Sequence, residues 1–562
     1  MKTKIFIFLF ALATFSACTL DEVVLDRFVV DNFYKTENDA KSAIAGVYSD
    51  LVRYGYYKSC YIPMLEASSD ALFCYDGAES PIEFGQKRQT ANTIYVKNVW
   101  AGMYQTIMDA NLVIKYVQNS DFNQVSKNRI LGEAYFLRGW TYFNLVRTFG
   151  GVPVKLEPTI DAGNFHSPKS SVDSVYSVIF SDLLKANQLM PYKSLQSANE
   201  AGRANKGSAQ AMLSLVYLTR GKWQEASNWA DSVITKGGYT LLDNYADLWD
   251  VSKEATQANE VCFALQFARD PLQSSANSIG SEMANLYIPV NGYNYTGSRT
   301  TTTYGNGTGR IKVEPFFYKM YNTGDYYNVT KKELDYRTEK SFLTKWNSAS
   351  IVANKLVIGT TTMSTTGYYN FRYAHIAKYI DGSGLDSRNH ENNLNIIRLA
   401  EVYLIKAEAL NELNKPAEAL AAFNLLRERA RKASGTPRAT PVDLSLLTLP
   451  GTEPTDKDKI REAIFHERGL ELVGECSRWF DLVRMKRSNG KTYYEYMLDV
   501  TNGYASEHAL FASVNELASP GNCNDYVASN MIFNKRNLLF PISSEEFIYN
   551  KSLSATDQNP GY

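Results

Sequence analysis

The chain has little of what marks most protein chemistry. Six of its 562 residues are cysteine. None forms a CxxC pair or stands at zinc-finger spacing from a histidine, which argues against a structural zinc module. The five histidines, His166, His375, His390, His466 and His508, show no metal-ligand spacing. His466-Glu467 begins like HExxH, but Leu470 stands where the second histidine is required. Gly490-Lys491-Thr492 ends like a phosphate loop, but Met485 occupies the place of its first glycine. No Gly-x-Ser-x-Gly occurs. There is no excess charge of either sign, with 59 basic against 59 acidic side chains. A chain so balanced gains little from polyanions, so no nucleic-acid partner is expected. No run approaches the roughly 20 apolar residues of a membrane helix. Pro-, Gly- or Ser-rich linkers of useful length are also missing. Length alone suggests about three or four domains, yet without linkers one large body is expected.

The N-terminus is distinctive. Lys2 and Lys4 precede an uncharged run from Ile5 to Phe15 that is too short to cross a bilayer of about 30 Å. Phe15-Ser16-Ala17-Cys18 then resembles a bacterial lipobox. That resemblance implies a signal peptide over 1–17, cleavage before Cys18 and lipid attachment at Cys18; two or more acyl chains anchor a protein stably where one does not. Asp21 and Glu22 resemble a surface-export signal and favour the outer face of the membrane. Without Lys2 and Lys4 the body counts 57 basic and 59 acidic groups. Cys60, Cys74, Cys262, Cys476 and Cys523 remain. Their odd number cannot all pair, and they are expected mostly as buried small hydrophobes, with a Cys60–Cys74 bridge left open.

Helical periodicity dominates the rest. Ala211 to Ile234 and Val402 to Leu426 read alike: an apolar-periodic helix, a short turn and a second helix opening with alanine. Gly221 marks the first turn, and Asn414 with Pro416 the second. Small residues at these places let antiparallel helices approach closely, the tetratricopeptide pattern of stacked hairpins sharing a core. Two further hairpins are expected, Trp100–Val117 with Arg129–Arg147, and Asp173–Met190 with a helix beginning near Asn205. Lys459 to Glu475 is a further amphipathic helix. The fold class is therefore mainly α, about four tetratricopeptide-like hairpins with little β structure.

Between about 272 and 387 the character changes to Gly, Thr, Asn and Tyr, dividing the body into 18–271, 272–387 and 388–562. Residues 287–327 alone hold Tyr287, Tyr293, Tyr295, Tyr304, Tyr318, Tyr321, Tyr326 and Tyr327. Tyrosine suits both half-buried packing and wet binding surfaces, and long loops in compact proteins are usually functional. Sugar recognition calls for flat apolar faces with a few polar groups. Two stretches supply that mixture: Asp70, Phe73, Tyr75, Arg88 and Tyr95 in the first, and Asn291, Tyr293, Tyr295 and Tyr304 in the second. These are the candidate ligand-binding residues, set against the alternative that each simply packs a loop.

Several strings together resemble the SusD/RagB family of Bacteroidetes outer-membrane lipoproteins. They are Asn32–Tyr48, Trp100–Asn111, GEAYFLRGWTYFNLVRTFGGVP over Gly132–Pro153, Asn205–Leu218, Glu260–Phe267, Lys378-Tyr379, IRLAEVYLIKAEAL over Ile397–Leu410, Glu467-Arg468-Gly469-Leu470-Glu471, Arg478–Leu482 and Gln558–Tyr562. They follow in register over more than five hundred residues. Within them Arg138, Glu133 and Arg478 beside Trp479 read as ion pairs and stacked guanidinium groups fixing helix junctions, so the motifs identify a scaffold and say little about the ligand. The resemblance implies a cell-surface lipoprotein that captures oligosaccharides, or in some members peptides. It implies that this protein caps a SusC-like TonB-dependent β-barrel transporter, hands the ligand on, and is not an enzyme. A protein-only adaptor and a glycoside hydrolase stand as alternatives, since the paired carboxylates of a glycosidase leave no sequence spacing. No cofactor is expected. No EF-hand pattern is present, and a structural Ca²⁺ stays open.

Overall fold

The computed structural model describes residues 33–74, 79–159, 165–197, 200–269, 279–287, 292–293, 309–322, 327–328, 333–343, 345–352, 355–362, 374–380, 389–431, 457–487, 489–495 and 535–562. Cys18 and the whole expected signal peptide lie outside them.

Nine long helices carry the described fold: α1 Glu37–Leu51, α2 Ile94–Gln118, α3 Gln124–Phe149, α4 Val172–Leu189, α5 Lys206–Thr219, α6 Trp223–Lys236, α7 Leu399–Glu412, α8 Pro416–Arg431 and α9 Lys457–Leu472. Their starts follow local chemistry. Thr36 and Asp39 form a reciprocal capping box at α1, with the Thr36 N–H donating to the Asp39 carboxylate at 2.8 Å. Asn205 and Ser208 do the same at α5. The turns also sit where the sequence places them. Gly221 between α5 and α6 and Asn414 between α7 and α8 both have positive φ, 67° and 59°, a conformation that glycine and asparagine tolerate best.

The helices stack in order, each against the next: α2 on α3, α3 on α4, α4 on α5, α5 on α6. The stack then continues from α6 to α7 although residues 237–398 intervene, and α7 packs on α8 and α9. The expected hairpins are all present, and the fold is mostly helical. The crossing of α3 and α4 shows why the Gly132–Pro153 string has its composition. A Cβ at Gly132 would stand 2.5 Å from Met190 Cγ, and one at Gly139 3.0 Å from Asp182 Cβ. These glycines are two turns apart on one face, so the axes approach closely along it. Arg138 then locks the crossing with a bidentate pair to Asp182, both bonds 2.8 Å.

The β structure is confined to short ribbons. β1 Leu72–Cys74 pairs antiparallel with β4 Ile311–Val313, and β2 Val261–Leu265 with β7 Leu394–Arg398. β3 Gly292–Tyr293 pairs with β5 Lys345–Val352, which forms a hairpin with β6 Lys355–Thr362. The last ribbon falls in the segment expected to be irregular. Cys60, Cys74, Cys262 and Cys476 are buried, and the bridge left open between Cys60 and Cys74 is not formed. Cys523 lies outside the described residues.

Residues 540–562 return to the N-terminal helices. The Asn559 amide donates to the Phe149 carbonyl at the end of α3 (2.8 Å) and to the Phe540 carbonyl (2.7 Å). Lys169 donates to the Asp557 carbonyl at 2.6 Å, and the Gln89 amide to the Tyr562 hydroxyl at 3.3 Å.

Candidate ligand-binding face

The string Glu467–Glu471 could in principle serve a ligand, because it is rich in charge. Its place in α9 decides otherwise. Glu467, Arg468 and Glu471 are buried. Glu471 accepts from Arg398 (2.5 Å), Arg337 (2.9 Å) and Arg429. Arg398 also reaches Glu260 (3.0 Å) and Glu475 (2.8 Å), Arg337 reaches Asp335 (2.8 Å) and Glu467 (2.5 Å), and Arg427 reaches Glu467 (3.3 Å). Lys378 closes the group on Glu475 at 2.7 Å. Five cations thus face five carboxylates, which removes the cost of an uncompensated buried charge. Burial alone would raise the Glu471 carboxyl, but Arg429, Arg398 and Arg337 outweigh it and hold it well below the ordinary carboxylate range. Arg468 bridges Glu401 (2.8 Å) and Asp481 (2.7 Å) in the same manner. These groups come from α7, α8, α9, β7 and the segments beside them, so the network fastens the far end of the stack.

The first set of candidate residues divides on the same test. Asp70 is buried and forms a bidentate pair with Arg478, both bonds 2.7 Å. The Arg478 guanidinium also lies 3.7 Å over the Phe465 ring, rather than on the neighbouring Trp479. Phe73 is buried on β1, and Tyr95 is buried near the start of α2 with its ring 6.4 Å from Phe84. All three are taken up by packing, which leaves no ring face or carboxylate open to a ligand. Arg88 is exposed and donates to Gln86. Tyr75 lies outside the described residues, as do Asn291, Tyr295 and Tyr304. Tyr293 sits on β3 opposite Asn347. Of the other tyrosines in 287–327, Tyr287 and Tyr321 are core residues and Tyr318 packs against the core.

The β1–β4 ribbon nonetheless joins the two candidate stretches. Its register sets Cys74 opposite Ile311. The chain leaves β1 toward Tyr75 at the same end where the tyrosine-rich stretch enters β4, so both are anchored within one strand spacing of about 5 Å. Beside this end stands a surface the sequence did not single out. Tyr54 is 46% exposed and Ile94 53% exposed, while Asn98, one turn along α2 from Ile94, is half-buried. Gly55 lies against Asn98, which sets Tyr54 beside that turn. Burial raises the Tyr95 hydroxyl above the ordinary tyrosine range, with Cys60, Tyr54 and Glu282 adding to the shift and half-buried Arg310 opposing it. Tyr54 opens a five-residue π-helix, Tyr54–Lys58, in which Tyr56 departs from helical backbone at φ −120°, ψ −118°. Such irregular turns are frequent at functional sites. The one available sequence signal was the run Tyr54-Gly55-Tyr56-Tyr57, too dense in aromatics and too broken by glycine for an ordinary helix.

Among the described residues, no cluster of three or more His, Cys, Asp or Glu is placed to hold a metal ion, and no helix is long and apolar enough to cross a membrane.

A stack of helical hairpins fastened internally by buried charge defines a helical scaffold. Residues 259–562 match the sequence model described as the SusD family, and residues 31–218 match one described as "Starch-binding associating with outer membrane". The chain belongs to the SusD family. SusD-like protein P2 of Formosa agariphila is 30% identical over 506 residues, covering 87% of this chain and 92% of that protein. The fold matches a SusD homolog from Bacteroides thetaiotaomicron with a TM-score of 0.73 at 22% identity, over 95% of this chain and 98% of that one. It matches a structure titled "Laminarin binding SusD-like protein" with a TM-score of 0.69 at 24% identity, over 94% of this chain and 100% of that one.

Proposed function

We propose that the protein is a cell-surface lipoprotein, anchored to the outer membrane through Cys18, that binds oligosaccharides on the face beside β1 and β4 and delivers them to a SusC-like TonB-dependent β-barrel transporter. It binds without turnover. The observation that carries this reading is the pairing of Cys74 with Ile311, which brings together the points where the two candidate stretches join the described fold. Aromatic faces stack on sugar rings, and amide and guanidinium groups meet the hydroxyls. The reading is supported by a family description that names starch binding and outer-membrane association, and by the shared fold of a laminarin-binding relative. Tyr293, Tyr295 and Tyr304, with Tyr75 from the first stretch, are the aromatic residues proposed for ligand contact, joined by Tyr54 and Arg310 at the rim. Asp70, Phe73 and Tyr95 are assigned to the frame that holds them.

The test is calorimetric titration of the chain with panels of oligosaccharides and peptides, each mixture then analysed for cleavage. Heat from a glycan class with no product formed supports the proposal. Heat from peptides alone, or cleavage of any panel member, overturns it. Co-purification with a β-barrel from outer membranes, abolished by Cys18→Ala, tests the anchor and the partner together.

A further inference from the structure

A cavity of about 260 Å³ lies beside the β2–β7 ribbon, with Trp249, Gln257, Phe267, Tyr379 and Asn392 in its wall. Two polar atoms of its lining residues have no hydrogen-bond partner among the described residues. Asn392 is only 3% exposed, yet its side-chain oxygen accepts no hydrogen bond, and the buried indole N–H of Trp249 donates none. Native proteins rarely leave such atoms unanswered. The indole is rigidly set: Lys378 lies 4.5 Å over its ring, and Tyr245 and Tyr379 meet its edges at 5.8 and 5.7 Å. The Lys378 ammonium is itself committed to the Glu475 carboxylate at 2.7 Å and the Glu471 carbonyl at 2.9 Å.

These groups restrict the ligand chemistry. An anion only accepts hydrogen bonds, so it would leave the Asn392 oxygen unanswered and would face the carboxylates of Glu254 and Glu391, also in the wall. A cation only donates, and would leave the Trp249 N–H unanswered. A hydroxyl group does both. The volume falls just below the roughly 300–1,000 Å³ of drug-sized pockets, which suits a single ring rather than a chain. We propose that this cavity is a second binding site, for one neutral polyhydroxylated ring, whose hydroxyls accept from Trp249 Nε1 and donate to Asn392 Oδ1. The site is separate from the loop face and does not depend on it.

The test is a crystal of the chain soaked with a panel of neutral hexoses and pentoses, joined to titrations of the same sugars in solution. The expected result is a sugar ring in the cavity with hydroxyls in hydrogen-bond contact with both atoms. Trp249→Phe, which keeps an aromatic side chain but removes the indole N–H, and Asn392→Ala should each weaken monosaccharide binding at least roughly three- to tenfold, the worth of one hydrogen bond. Tyr54→Ala should leave that binding unchanged while affecting the loop face. Only ordered water in the soaked cavity, or both cavity variants titrating like the parent chain, would overturn the proposal.

Discussion

In α9 charged side chains point inward, while at the edge beside β1 and β4 large apolar side chains point outward. Glu467, Arg468 and Glu471 are buried among partners from five other elements, whereas Tyr54 and Ile94 are about half exposed. Both arrangements invert the ordinary distribution of residue types, and each has its own reason. Buried charges demand directional partners, so they fix which helix meets which and in what register. Exposed aromatics satisfy nothing within the fold, so they are free to meet something else. Strings that identify the family therefore report on assembly, and residues that choose a ligand must be sought where the fold does not need them.

The largest test of this contrast is Arg398→Ala. It removes a cation shared by Glu260, Glu471 and Glu475, leaving five carboxylates to four cations, and should destabilise the protein by about 3–5 kcal/mol, read from the denaturant midpoint. Arg398→Lys should recover little, because one ammonium cannot serve three carboxylates at guanidinium geometry. A loss no greater than that of an exposed pair would remove the distinction between the two regions. Next comes Gly469→Ala. Its Cβ would collide with the Tyr321 hydroxyl, and about 1–3 kcal/mol of stability should be lost. Adding Tyr321→Phe should restore part of it, although that change also forfeits the Tyr321 bond to the His466 carbonyl at 2.7 Å.

A smaller effect separates two kinds of buried carboxyl. Burial pushes Glu66 up to about 7 from an ordinary 4.5, with only partial relief from the Cys476 N–H and Lys378. The folded state therefore holds this proton more tightly than the unfolded chain. The stability it contributes is complete below pH 4.5 and lost as pH rises through 7. Glu66→Gln should flatten that decline in thermal melts. Glu471 has the opposite sign: its contribution is present above the ordinary carboxylate range and lost in acid, so Glu471→Gln should flatten the acid limb instead. The smallest stability effect is expected at Tyr54→Ala, within about 0.5 kcal/mol. The same change should weaken oligosaccharide binding by about 0.5–1.5 kcal/mol, measured by titration. Lost stability with unchanged binding would return Tyr54 to the scaffold.

The hairpins were legible because their signal is local. Apolar residues recurring at helical spacing, Gly221 and Asn414 at the turns, and Asn205 at a helix start act within a few residues. The structural role of Arg138, Glu133 and Arg478 was also legible, since guanidinium groups on apolar helices need partners. Which partners was not: Asp182 lies 44 residues from Arg138, and Asp70 lies 408 from Arg478. The same non-locality misplaced part of the candidate site. Asp70 and Phe73 have the chemistry of a sugar site, and only the three-dimensional arrangement shows that Arg478 and β4 claim them. The β5–β6 hairpin was hidden because Lys345–Val352 and Lys355–Thr362 are rich in Ser, Thr and Asn, a composition that loops share. Trp249 and Asn392 gave no signal, being 143 residues apart in a chain full of similar residues.

The grip of Asn559 on the Phe149 carbonyl orders events in time. A ribosome delivers the α2–α3 hairpin some four hundred residues before it delivers the amide that closes the end of α3. Until then the first half of the protein carries an open carbonyl at Phe149 and lacks the core contribution of Phe540 and Ile542, which arrive shortly ahead of that amide.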